Sequence, residues 1–262
     1  MPEVELYGAQ PPIELLRQLI GRRGLYDRQK LIWKSVEDTT MICAAAPPGG
    51  GRNELTQRFT SKFNIICAPQ TPKTVLSKIF NSILQEFFKA SGFNEQITHY
   101  ADDIVSGTIE VYQKISEEMK PTPAKFHYTF NLRDVSKVVQ GILMTKPISV
   151  QTGETLARLW IHECSRVFHD RLINPPDREV FTRLLTEMVL KNFRFSWDHD
   201  DLFVNNTIYF GDLLKLEAPV RIYEEIKDKQ KLNKILVNQL EDYNFTFTNK
   251  MNLVFFQDAV RK

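Results

Sequence analysis

The sequence predicts a mixed α/β chain that is mostly helical, and three observations carry that prediction. A strand, glycine turn, helix, strand pattern occupies residues 40–69; apolar residues at helical spacing dominate from 73 to 190; and proline breaks at 121–123 and 174–176 cut that region into separate helices. Length and composition agree, since 262 residues with 42% apolar and 25% charged content are enough for one large or two small domains with a packed core.

The elements follow in order. Pro12 to Ile20 places Ile13, Leu15, Leu16, Leu19 and Ile20 at helical spacings, with Pro12 suited to a first turn and an end expected near Gly21 and Gly24. Residues 25–38 hold Leu31, Ile32 and Trp33 between polar flanks and predict a short hairpin arm. Thr40 to Ala46 is apolar on both faces, which predicts a central parallel strand. The run from Pro47 to Asn53 reads P-P-G-G-G-R-N, a glycine turn able to take positive φ; Glu54 to Phe63 is then expected as a short helix and Ile65 to Ala68 as a second buried strand closed by Pro69.

Beyond Pro72 the prediction is a helical bundle. Val75, Ile79, Phe80, Ile83, Leu84, Phe87 and Phe88 make one apolar face, and Ile104, Ile109, Val111, Tyr112 and Ile115 another. Further helices are expected at 132–143, at 155–173 and from a cap at Asp177 to about Leu190, then near 228–241 and 249–261. On the last of these, Val254, Phe255, Phe256 and Val260 need a covering surface.

Charge and cysteine usage narrow the function classes. A formal net charge of +2 points to neither nucleic acid nor membrane as partner. No run of about 18 uncharged apolar residues occurs, and the acidic opening Met1-Pro2-Glu3-Val4-Glu5 is unlike a signal peptide, so a soluble, non-secreted chain with an abrupt start is expected. Cys43, Cys67 and Cys164 have no C-x-x-C spacing and read as free core thiols. His162, Glu163, His169 and Asp170 lack the i, i+4 histidine pair of zinc helices, so no metal site is expected. No G-x-x-x-x-G-K-[ST] phosphate loop is present, so the glycine turn stands without the cradle that would grip a nucleotide.

Four strings in order carry a family resemblance: Tyr7 to Gln18 (Y-G-A-Q-P-P-I-E-L-L-R-Q), Ala45 to Asn53, Pro121 to Asp134 (P-T-P-A-K-F-H-Y-T-F-N-L-R-D), and Arg158 to Glu163 (R-L-W-I-H-E) continued by Arg166-Val167-Phe168 and Asp170-Arg171-Leu172. Together they resemble the third AAA+ module of dynein heavy chains, of axonemal rather than cytoplasmic type. The resemblance implies a partial AAA+ sheet half at 1–70 that follows the Walker B pair and includes the sensor I turn, a helical lid at 71–205, and the opening of the next module at 206–262.

The resemblance also implies roles. Arg158 would be the sensor II arginine at the γ-phosphate, with an alternative ion pair to Glu154 at i−4. Arg52 or Arg58 would reach toward a neighbouring module's nucleotide, with a salt bridge as the other reading. Ala46 stands where sensor I carries an asparagine, and a methyl group cannot orient water. Leu132 would pack on an adenine while Arg133 pairs with Asp134 or a phosphate; the plainer reading makes His127 a helix cap and Asp134 the residue that fixes the turn. The implied parent is an ATP-dependent microtubule motor of the cilium axoneme and cytoskeleton, binding ATP or ADP with Mg, its regulatory third module contacting the rest of the ring. This chain alone would hold no catalytic residue. Two rivals stand beside that reading: a complete but divergent AAA+ ATPase, and a stand-alone interaction protein built from a dynein lid.

Overall fold

The computed structural model describes residues 3–45, 53–69, 71–205, 208–215 and 220–252, and these fall into two compact units, one comprising residues 1–70 with 121–126 and the other 71–120 with 127–262. The described residues are mostly helical with two small antiparallel sheets, which agrees with the fold class expected.

In the first unit, helix α1 spans Pro11–Arg22 and seats Ile13 fully out of solvent, with its N-terminus entered through prolines whose missing N–H groups would have no helical acceptor. The helix runs through Gly21 and stops one residue later, where Arg23 takes a left-handed φ of 50°. Strands β1 (Gly24–Tyr26) and β2 (Trp33–Ser35) then pair antiparallel, which is the hairpin arm predicted from 25–38. Gly24 is obligatory there because the Trp33 ring lies against its Cα, leaving no room for a Cβ. Asp27 ties the turn, accepting from the backbone N–H of Gln29 and Lys30 while its carboxylate pairs with Lys34 at 2.6 Å.

Three expectations fail in this unit. Residues 41–45 and 64–69 form no strand, and Ile42 and Ile66 are more than nine-tenths exposed. The predicted helix over 54–63 shortens to α2, Gln57–Thr60, which buries only Phe59. Cys43 and Cys67 are exposed rather than core thiols; only Cys164 is buried. One cause covers the strands and both cysteines. A strand apolar on both faces needs paired neighbours for its N–H and C=O groups, and among the described residues nothing pairs with either segment.

The second unit is a helical bundle: α3 (Lys73–Ala90), α4 (Glu95–Glu118), α5 (Leu132–Ile142), α6 (Gly153–Cys164) and α7 (Pro175–Met188). Both α6 and α7 run on into single π-helical turns, Ser165–His169 and Val189–Phe193. Helix α3 buries Leu76, Phe80, Leu84 and Phe88 on α4, whereas Val75, Ile79 and Ile83 of the predicted face are about half exposed. Trp160 of α6 is the centre of the core: its indole N–H donates to Thr108 Oγ1 at 2.9 Å, Thr108 passes a bond to the Ile104 carbonyl, and Phe193 packs on the ring at 5.1 Å. Helix α7 begins at Pro175 behind Asn174, so Asp177 lies inside its first turn and is not the cap; its carboxylate accepts from the Tyr128 hydroxyl instead. Short strands β3 (Phe210–Gly211) and β4 (Glu224–Glu225) follow, and α8 (Lys229–Thr246) is capped by Asp228. The helix expected near 249–261 lies outside the described residues from 253 onward.

The string H-Y-T-F-N-L-R-D is a folding signature in this unit. Asn131 and Asp134 form a capping box at the start of α5. Asp134 also holds Arg171 at 2.6 Å, and that guanidinium reaches the Thr129 carbonyl and lies over the Phe130 ring. His127 meets the Arg171 carbonyl through Nε2, while Tyr128 accepts from the Ile173 N–H. Asp134→Ala removes both the cap and the partner of Arg171, and we expect a loss of about 2 kcal/mol in unfolding free energy; Asp134→Asn keeps a capping side chain and loses about half as much, read from urea melts of the 262-residue chain. A second variant reports on packing: Gly141 of α5 lies against the Glu163 carboxylate with no space for a Cβ, so Gly141→Ala costs about 3 kcal/mol in the same melt. A change under about 1 kcal/mol would show that α5 can move away cheaply.

Candidate functional site: a polar helix face and two arginines

Helix α6 presents Arg158, His162, Glu163 and, in the following π-turn, Arg166 on one side, the i, i+4, i+5, i+8 spacing that lines up along a helix. Three of these bind Ile208, Tyr223 and Glu225. Arg158 donates through Nε and Nη2 to the Glu225 carboxylate in β4, the Nε bond at 2.9 Å, and both side chains are largely shielded. The alternative pairing with Glu154 is not formed. His162 Nδ1 lies 3.2 Å from the Ile208 carbonyl; since a carbonyl only accepts, Nδ1 carries the proton. Glu163 is fully buried, accepts from Arg166 at 2.6 Å and 3.0 Å, and accepts the Tyr223 hydroxyl at 2.6 Å.

The electrostatics follow from this packing. Burial, and then the neighbouring Glu163 charge, pushes the Tyr223 phenol far up, so it stays a donor to Glu163. Burial likewise raises the Cys164 thiol well above its ordinary value, which makes it an inert core group. Burial lowers His162, partly offset by Glu163, so the imidazole is neutral in the folded chain.

The predicted site residues do not all converge. Leu132 and Arg133 begin α5, where Arg133 is exposed and, among the described residues, in no ion pair; Asp134 is committed to Arg171 rather than to Arg133. The Arg171 turn that faces α5's N-terminus lies beyond the π-turn that follows α6, whereas Arg158 lies in the first half of α6, so Arg158 and the Leu132-Arg133 pair sit toward opposite ends of the α5/α6 packing. Arg58, in the other unit, is two-thirds exposed and stands 3.9 Å from Glu14, whose carboxylate already pairs with Arg17 at 2.7 Å. Arg52 and Ala46 lie outside the described residues. Among the described residues no cluster of three metal-ligating side chains occurs. Reading the sequence missed Glu225 and Tyr223 as partners of α6; 60 or more residues separate them from Glu163 and Arg158 in the chain, and no local pattern signals the pairing.

The His162 shift has a signed consequence. The unfolded chain takes up a proton near pH about 6.5, whereas the folded chain resists it to lower pH. Stability is therefore full above that value and declines as pH falls through the folded pKa. His162→Gln flattens that decline in urea melts recorded between pH 5 and pH 7.5; an unchanged slope would show that other groups set it.

Comparison with known proteins places this geometry. Residues 1–71 match the model for the P-loop containing dynein motor region, and residues 104–204 match the AAA+ lid domain. Human dynein axonemal heavy chain 6 is 47% identical over 262 residues, human dynein axonemal heavy chain 1 is 40% identical over 271, and mouse dynein axonemal heavy chain 12 is 38% identical over 270. These alignments cover 98–99% of this chain and 6–9% of the relatives, so the chain spans a small part of their length. With motor-region and lid models matched in order and axonemal relatives 38–47% identical over nearly the whole of this chain, the chain belongs to the dynein heavy chain family, as a segment matching the motor region and the AAA+ lid.

Proposed function

We propose that this segment serves in an ATP-dependent microtubule motor of the ciliary axoneme, as the rear of a regulatory AAA+ module, the third of the ring, followed by the opening of the fourth. Its work there is to read a bound nucleotide and pass the reading on, with ATP or ADP and Mg held mainly by the rest of the ring and the microtubule met only through the whole motor. The 262-residue chain has no phosphate loop and turns over no ATP by itself.

One observation carries the assignment of roles: Arg133 is an exposed cation in no ion pair among the described residues, at the start of α5, whereas Arg158 is bound to Glu225. A planar guanidinium at a helix N-terminus, where the backbone dipole also favours negative charge, suits a phosphate oxygen. Leu132 beside it supplies an apolar surface of the kind a base stacks on. Arg158, by contrast, fastens the lid to β4. Lid and following segment are then joined at Arg158 and Glu163, and phosphate contact at α5 is felt along the same packed pair of helices.

A fluorescent ATP analogue titrated into the parent motor separates the roles. Arg133→Ala is expected to remove one class of sites or weaken it about tenfold, equivalent to about 1.4 kcal/mol, while Arg158→Ala leaves analogue affinity within about twofold and lowers the unfolding midpoint. The reverse pattern would return the sensing role to Arg158, and steady ATP hydrolysis by the 262-residue chain would favour the divergent ATPase.

A further inference from the structure

Between α5 and the π-turn after α6 lies a cavity of ≈ 320 Å³ lined by Lys137, Arg166, Val167, Asp170 and Arg171. It does not include the Arg158 contact, and its Arg171 is anchored at the start of α5. Both of its arginines are held from behind. Arg166 gives Nε and Nη2 to Glu163, which has no solvent exposure, and Arg171 gives Nη1 and Nη2 to Asp134, whose side chain is 5% exposed. The carboxylates fix the planes of the two guanidiniums, and each keeps N–H groups that those bonds leave over: Nη1 on Arg166, Nε on Arg171. Lys137 adds a third cation and, among the described residues, is in no ion pair.

We infer that this groove is a docking site for a carboxylate side chain carried by an acidic peptide segment of a protein partner. Oriented guanidiniums match a carboxylate's two oxygens, and their fixed rotamers cut the entropy lost on binding. Charge selects among anions. The three cations are offset by Glu163 and Asp134 behind them and by Asp170 at the groove, so the site carries little net charge and suits a monoanionic carboxylate better than a dianionic phosphate. Val167 gives the carboxylate's methylene stem an apolar surface.

The test is anisotropy of a fluorescein-labelled oligo-glutamate peptide with the full 262-residue chain at low salt. Saturable binding is expected, weakened at least fivefold by Lys137→Glu and about half as much by Lys137→Gln. Lys78→Glu, the same charge change at an exposed position on α3, is expected to stay within twofold. Circular dichroism melts confirm that each variant is folded, and the lysines are exposed enough for both to be tolerated. Equal losses for Lys137→Glu and Lys78→Glu would reduce the attraction to bulk charge and overturn the site. Absence of saturable binding would overturn it too. Inorganic phosphate displacing the peptide at lower concentration than free glutamate would reassign the groove to phosphate.

Discussion

A single buried carboxylate organises the larger unit. Glu163 lies in the core with no exposure, and an ionised group there costs several kcal/mol of lost hydration unless partners replace the water. Three features of the chain meet that demand together. Gly141 has no side chain, which lets the carboxylate sit against α5; Arg166 follows one helical turn later and donates twice; and Tyr223 arrives from far along the chain with a hydroxyl that burial keeps protonated. Helix α5, helix α6 and the segment before β4 are therefore fixed by one residue. Removing Arg166 or Tyr223 leaves the buried charge with only the other donor, which is why substitutions here act on several elements at once.

Around that carboxylate the arginines divide their work by what they are paired to. Arg166 and Arg171 each have a shielded carboxylate behind them, so their positions are set by the fold. Arg158 is set by Glu225 and binds two stretches of the chain to each other. Arg133, close in sequence to Arg171's partner Asp134, is left exposed because the capping box uses the Asp134 carboxylate for the Asn131 N–H and for Arg171. Cations of one chemical type thus separate into fasteners and a contact group, according to whether a buried acid stands within reach.

The lid signature gains a physical meaning from the same geometry. Tyr128 bridges the Ile173 N–H and Asp177, Phe130 lies under Arg171, and Asn131 with Asp134 closes the first turn of α5. The side chains of His127, Tyr128, Asn131 and Asp134 each meet a group around residues 170–178 or their own helix end. The side chains of this motif stitch a helix start to the end of a distant helix, and the same turn carries the exposed Leu132-Arg133 pair.

Most of this was legible locally. The helices α1, α3 to α7 and α8, the hairpin arm, the part of Asp134 in fixing the turn before α5 and the absence of a phosphate loop follow from spacing, caps and motifs, because each depends on residues within one or two turns of each other. What only the tertiary structure decided is of another kind: that Arg158 turns to Glu225 rather than Glu154, that Glu163 is buried under Tyr223, that Asp177 serves Tyr128 instead of capping α7, and that residues 41–45 and 64–69 form no strand and are mostly exposed. An apolar run says that a surface needs cover and a charged side chain says that it needs a partner; which neighbour supplies either is set by packing across tens of residues, and hydrophobic periodicity carries no record of it.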